Sequence, residues 1–169
     1  MRVAEVILAV GVALALQTTL ARFIVRGTVA VDLVLVVVVY VALTSGSGAG
    51  LLTGAFAGLV QDALSSGVVG IGGLAKTIVA FLAGIIGTQF IVVRPLPRFV
   101  VCFAATVLHA VVFMGLYVLL DLRHFGKPLT AVAEQAAGNA VVGVVTFQLV
   151  EFLPGAVERR RAAKSRLRR

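Results

Sequence analysis

The chain has 169 residues, 60% of them hydrophobic and 13% charged, with a formal net charge of +8 and a mean hydropathy of +1.11. Soluble domains are about 45–50% apolar and about 25% charged, so this chain has too few polar residues to cover a globule in water, and a water-soluble fold is excluded. Six membrane helices of about 20 residues each fill most of the length and leave no room for an extramembrane domain.

The first apolar stretch, Val3 to Ala21, is interrupted only by Glu5 and Gln17. Arg2 ahead of a run containing Ala13-Leu14-Ala15 also fits a secretory signal. Five further spans follow, however, and a retained signal anchor is expected. The second stretch, Val29 to Leu43, contains the run Val34 to Val39. Such β-branched runs favour strands in water, but a lone open strand cannot satisfy its backbone in hydrocarbon, so a helix is expected. The third stretch, about Ser47 to Ala63, is rich in glycine, and the fourth runs from about Gly73 to Val93. Arg94-Pro95-Leu96-Pro97-Arg98 combines two helix breakers with two charges and is predicted as a loop. A fifth span covers about Phe99 to Leu120. A polar loop follows from Asp121 to Pro128, and a sixth span, about Leu129 to Leu153, ends at Pro154-Gly155. The expected fold is all-α and polytopic, with six transmembrane helices over 1–153 and a basic cytoplasmic tail over 154–169.

Charge placement orients the chain. Seven of the fifteen basic residues (Arg159, Arg160, Arg161, Lys164, Arg166, Arg168 and Arg169) fall in the last eleven positions. A block of this kind is a solvated tail beside an anionic leaflet, not a nucleic-acid surface. With six spans and a cytoplasmic C-terminus, ten basic residues lie inside, against Arg22, Arg26, Arg123 and Lys127 outside. The positive-inside rule therefore puts both termini in the cytoplasm. The single cysteine, Cys102, has no partner for an intrachain disulfide and no metal-site spacing, and reads as a small apolar filler in a helix.

Eleven of the eighteen glycines fall between Gly46 and Gly87. Gly46, Gly50, Gly54 and Gly58 recur every four residues and Asp62 continues the series, which puts a smooth groove ending in a carboxylate on one helix face. In lipid, close backbone approach is what drives helix association. The groove serves either packing within this domain or docking of a foreign helix.

A charge at membrane depth costs about 2.5–3.5 kcal/mol on the insertion scale. Asp32 and Asp62 are expected near the outer ends of their helices, open to hydration there. Lys76, about one turn inside the same boundary, either snorkels outward or pairs with Asp62 across the third–fourth hairpin, and the pair is the expectation. His109 stands alone near the middle of the fifth helix and reads as a hydrogen-bonded core residue. Glu134, Gln135 and Asn139 open the sixth helix, while Gln148 and Glu151 near its inner end are placed to meet Arg94 or Arg98. No nucleophile elbow, HExxH pair or phosphate-binding loop occurs in the sequence, which leaves no positive evidence for catalysis, a metal or a cofactor.

These features in this order resemble the rod shape-determining protein MreD family, over roughly residues 3 to 153. The likeness is strongest at Val31-Asp32-Leu33, which opens an aliphatic second helix ending in Val39-Tyr40-Val41-Ala42-Leu43. It continues through the glycine-spaced segment Gly50 to Asp62 and the turn Gly70 to Leu74. Val31 stands where that family usually has proline, and Ser65 to Gly70 contains none. The resemblance implies a non-catalytic membrane scaffold of the bacterial cell-elongation machinery. It implies association with MreC, and through MreC with RodA and a class B penicillin-binding protein. It also implies a fold similar to the substrate-binding components of energy-coupling-factor transporters, hence an alternative role as a vitamin-binding membrane subunit. A chain with no Trp and two Tyr is poorly equipped for an aromatic-lined pocket, and the scaffold reading leads.

Overall fold

The computed structural model describes residues 3–23, 31–65, 67–90, 94–122 and 129–166, with the side chains of 20–23 and 153–166 excepted. These residues form six α-helices in chain order: α1 (Val3–Phe23), α2 (Leu33–Ser45), α3 (Ser47–Leu64), α4 (Ile71–Gln89), α5 (Pro95–Leu119) and α6 (Leu129–Arg166). No strand occurs among the described residues, so the valine run is helical.

That run sets the architecture. α2 is apolar around its whole circumference, the pattern of a helix buried on all sides. It touches all five other helices, and Val34, Leu35, Val38, Val39, Val41 and Ala42 are each at most 1% exposed. The outer helices carry one buried stripe and one apolar exposed stripe. In α1, Val10, Ala13 and Leu14 face inward while Val3, Leu8, Val12 and Leu16 are exposed. An apolar exterior around an apolar core suits lipid and not water. Among the described residues, α4 and α5 are long and apolar enough to cross a membrane, and α1 and α2 supply shorter apolar segments.

The most extensive helix pair is α3 with α4, and glycine explains it. A Cβ on Gly50 would lie 2.8 Å from the Ala80 carbonyl oxygen, one on Gly54 2.7 Å from the Lys76 carbonyl oxygen, and one on Gly58 2.5 Å from Gly73 Cα. Advancing one turn along α3 thus retreats one turn along α4, an antiparallel contact of backbone on backbone. α4 reciprocates, since a Cβ on Gly84 would collide with Ser47, and it approaches α2 as closely, since one on Gly87 would lie 2.7 Å from the Leu43 carbonyl oxygen. The groove is filled from within the chain. Gly46 keeps the four-residue spacing but plays a different part. It forms the turn between α2 and α3, with φ of 87°, and a Cβ there would meet only Thr88 Cγ2 at 3.8 Å.

Several helix ends differ from the sequence expectation. Arg94 to Arg98 is not a loop: Arg94 caps α5, and Pro95 and Pro97 sit in its first turn, where an α-helix makes no use of the missing N–H groups. Pro154-Gly155 does not end the sixth helix, which runs on to Arg166. Proline removes one i→i−4 bond, but the alanines and arginines after it are strong helix formers. α4 opens at Ile71, and α2 opens at Leu33 with Asp32 as its cap. Residues 29–30, 91–93 and 123–128, on which other expected span ends and a loop fall, lie outside the described residues, as do Arg2, Arg26, Arg123 and Lys127.

The seam makes a prediction of opposite signs. Gly54→Ala places a Cβ against the α4 backbone and should destabilise the protein by about 1–3 kcal/mol, as overpacking does. Gly48 has open space around a Cβ, so Gly48→Ala should be neutral or stabilise by up to about 1 kcal/mol through helix propensity. Thermal unfolding of both variants in the same detergent measures the contrast, and equal shifts would contradict the packing account.

Candidate functional site

Asp32 is the N-cap of α2, and its Oδ1 accepts from the Leu35 backbone N–H at 2.9 Å. Its Oδ2 lies 2.8 Å from Lys76 Nζ on α4. Asp32 is 5% exposed and Lys76 3%, so this is a buried ion pair linking α2 to α4. Lys76 Nζ also lies 3.3 Å from His109 Nε2 on α5. An ammonium can only donate, which assigns His109 the neutral Nδ1–H tautomer with Nε2 accepting. The Asp32 backbone N–H donates to Asn139 Oδ1 on α6 at 2.8 Å, and Asn139 Nδ2 donates to Thr106 Oγ1 on α5 at 3.1 Å. Thr106 in turn donates to the Cys102 carbonyl at 2.9 Å. Three other helices, α4, α5 and α6, therefore converge on the N-terminal end of α2.

Asp62 has a separate role. Its Oδ2 accepts from the backbone N–H groups of Gly70 and Gly73, both at 2.9 Å, closing the α3–α4 turn and satisfying donors at the start of α4. A Cβ on Gly72 would collide with Asp62 Oδ1, so glycine is required there. The expected Asp62–Lys76 pair is thus corrected. Lys76 goes to Asp32, and Asp62 takes the backbone amides that the Gly70 to Gly73 turn aims at it. The expected hydration of both carboxylates is corrected too, since Asp62 is 8% exposed.

His109 is not alone. Besides Lys76 it stacks on Phe113 at 5.8 Å between centroids, and Phe113 meets Tyr117 at 4.9 Å. The Tyr117 hydroxyl accepts from the Val68 N–H at 3.3 Å, so an aromatic ladder runs along α5 from the polar cluster to the α3–α4 turn. Thr106 was invisible to sequence reasoning, because a lone threonine in an apolar helix carries no spacing signal. The signal that did exist at Asp32 was positional: an aspartate directly before an apolar run is an N-cap.

At the other end of the bundle Arg98 forms a forked pair with Glu151, with Nη1 donating to Oε2 at 3.0 Å and Nη2 to Oε1. The Arg98 guanidinium lies 4.6 Å from the Phe147 ring centroid. Of the partners that sequence allowed, the structure selects Arg98 and Glu151. Cys102 is buried, and a Cβ on Gly143 would lie 2.7 Å from its sulfur, the place of a close-packed filler. Among the described residues no three His, Cys, Asp or Glu side chains gather as a metal site.

A helical membrane protein whose buried charges tie its own helices together is the class that fold and site define. The family model of the rod shape-determining protein MreD matches residues 2–153. The chain belongs to that family, whose members are membrane-associated and act in rod-shape determination. No curated protein and no solved structure matches the chain.

Removing one partner of a buried pair leaves an uncompensated charge, at about 3–5 kcal/mol. Asp32→Asn and Lys76→Met should each lower the melting temperature strongly, and the double variant should lose much less than the two losses combined. Lys76→Met with Asp62→Asn should instead be additive. Strict additivity in the Asp32 cycle would overturn the pairing.

Proposed function

We propose that this protein is a non-catalytic scaffold of the bacterial cell-elongation machinery in the cytoplasmic membrane, where it binds MreC and helps to organise peptidoglycan synthesis. RodA and a class B penicillin-binding protein are reached indirectly, through MreC. The observation that carries this reading is the family match over residues 2–153. The buried cluster supports it: Asp32, Lys76 and Asn139 are at most 5% exposed and hold one another, an arrangement suited to fixing helices and not to admitting a vitamin. The six-helix fold is read as akin to the transporter substrate-binding components, without their activity.

In this reading all six helices span, both termini are cytoplasmic, and residues 1–153 form the membrane domain. The basic tail over 154–169 lies against anionic lipid, with ten inside cations against four outside supporting that orientation. Asp32, Asp62, Lys76 and His109 act as structural polar groups, and Gly50, Gly54 and Gly58 as an internal seam.

Affinity purification of the tagged full chain from membranes should retain MreC, and should retain RodA only when MreC is present. Recovery of RodA without MreC, or no MreC at all, would overturn the scaffold reading. In a Cys102→Ala background, Leu122→Cys should react with an impermeant reagent added outside intact cells and Ser165→Cys should not. The reverse pattern would invert the topology.

A further inference from the structure

At the end of the bundle opposite Asp32, the C-terminal end of α4 and the N-terminal end of α5 border, with α2 and α6, an open cleft of about 340 Å³. Its walls include Tyr40, Thr88, Gln89, Phe90, Phe147 and Glu151. Small-molecule sites begin at about 300 Å³, so the space fits a compact polar group. It lies where α4 ends and α5 begins, the two helices long and apolar enough to cross a membrane, and on the topology proposed above that is headgroup depth.

The chemistry of the walls selects the group. Arg98 borders the cavity, but its side chain is 5% exposed against 56% for Glu151, and its guanidinium is held over Phe147. The accessible charge is therefore the carboxylate. Each Glu151 oxygen accepts one bond from Arg98 and keeps a second lone pair. Thr88 Oγ1 donates to the Ile85 carbonyl at 2.8 Å, so its hydrogen is spent and its oxygen can only accept from a ligand. Tyr40 and Phe90 add aromatic rings to the lining, and such rings attract a cation. Arg94, exposed and one turn before Arg98 on α5, supplies a positive charge for an anionic group outside the cavity.

We propose that this cavity takes an amine–phosphate headgroup of the phosphoethanolamine class, with the primary ammonium on Glu151 and Thr88 and the phosphate outward towards Arg94. An ammonium with three N–H donors matches the acceptors that Glu151 and Thr88 offer. A trimethylated one has no donor, and a glycerol headgroup has no positive charge.

The test uses the full chain in a mild detergent, with phosphatidylethanolamine, phosphatidylcholine or phosphatidylglycerol of identical acyl chains added, and O-phosphoethanolamine as the water-soluble arm. Phosphatidylethanolamine should raise the melting temperature by about 5 °C more than either other lipid, as ligand linkage gives near saturation. The preference should vanish in Glu151→Gln and shrink in Thr88→Val, which leaves the Arg98–Glu151 pair in place. Thr88→Val decides alone if Glu151→Gln fails to fold. O-phosphoethanolamine reproducing the full rise would identify the free compound as occupant, and a rise with the lipid only would identify the membrane as its source. Equal response to the three lipids, a larger response to phosphatidylglycerol, or a preference that is undiminished in Thr88→Val would overturn the proposal.

Discussion

The burial of α2 is the constraint on which the rest of the molecule depends. Its thirteen residues rise about 20 Å, and it lies at the centre of the bundle with Asp32, Val34 and Leu35 at most 5% exposed. Its first turn therefore starts where water is scarce, and the first N–H groups of the helix need partners inside the protein. Asp32 answers this need by accepting from Leu35. That places a carboxylate where an isolated charge is costly, so a cation has to follow it in. Lys76 is that cation, and Asn139 holds the backbone of the capping residue itself. A buried helix start thus makes the buried pair necessary, and the pair recruits α4, α5 and α6 around it.

Reaching Asp32 from α4 requires α4 to be held in one register, and the glycine seam does this. The Lys76 carbonyl lies where a Cβ on Gly54 would be, so the contact that packs α3 on α4 is centred on the lysine that pairs with α2. Asp62 fixes the same register from the end of the hairpin, by gripping the amides of Gly70 and Gly73. Both devices are backbone-specific. Neither depends on an apolar driving force, which lipid does not supply between helices.

The number and order of the helices are legible in the sequence because each is an apolar stretch separated by charge, proline or glycine. The MreD resemblance rests on the same segments, and residues 2–153 match that family. Three features were not legible, each for a physical reason. Proline acts differently at a helix start, where Pro95 and Pro97 cost nothing, and inside a helix, where Pro154 is overridden by its helix-forming neighbours. Four-residue spacing does not separate a seam glycine from a turn glycine, so Gly46 joined a series to which its positive φ does not belong. The Asp32–Lys76 pair spans 44 residues of sequence, and the choice between Asp32 and Asp62 for Lys76 depends on which carboxylate the Gly70 to Gly73 amides already occupy. Local pattern contains no information about that competition.

The two ends of the bundle then differ in kind. Around Asp32 the polar groups are enclosed and satisfied by one another. Around Arg98 the cation is buried but its partner Glu151 is open, so the ion pair presents a carboxylate to whatever lies at the rim. α6 joins the two, carrying Asn139 at the first and Phe147 and Glu151 at the second, before running on into the basic segment. A displacement of α6 cannot loosen one end without straining the other, because Asn139 is tied to the Asp32 backbone eight residues from Phe147 on a continuous helix. A protein built this way holds its outer apolar faces in a constant arrangement, and in lipid shape and close approach decide what such a face can pack against.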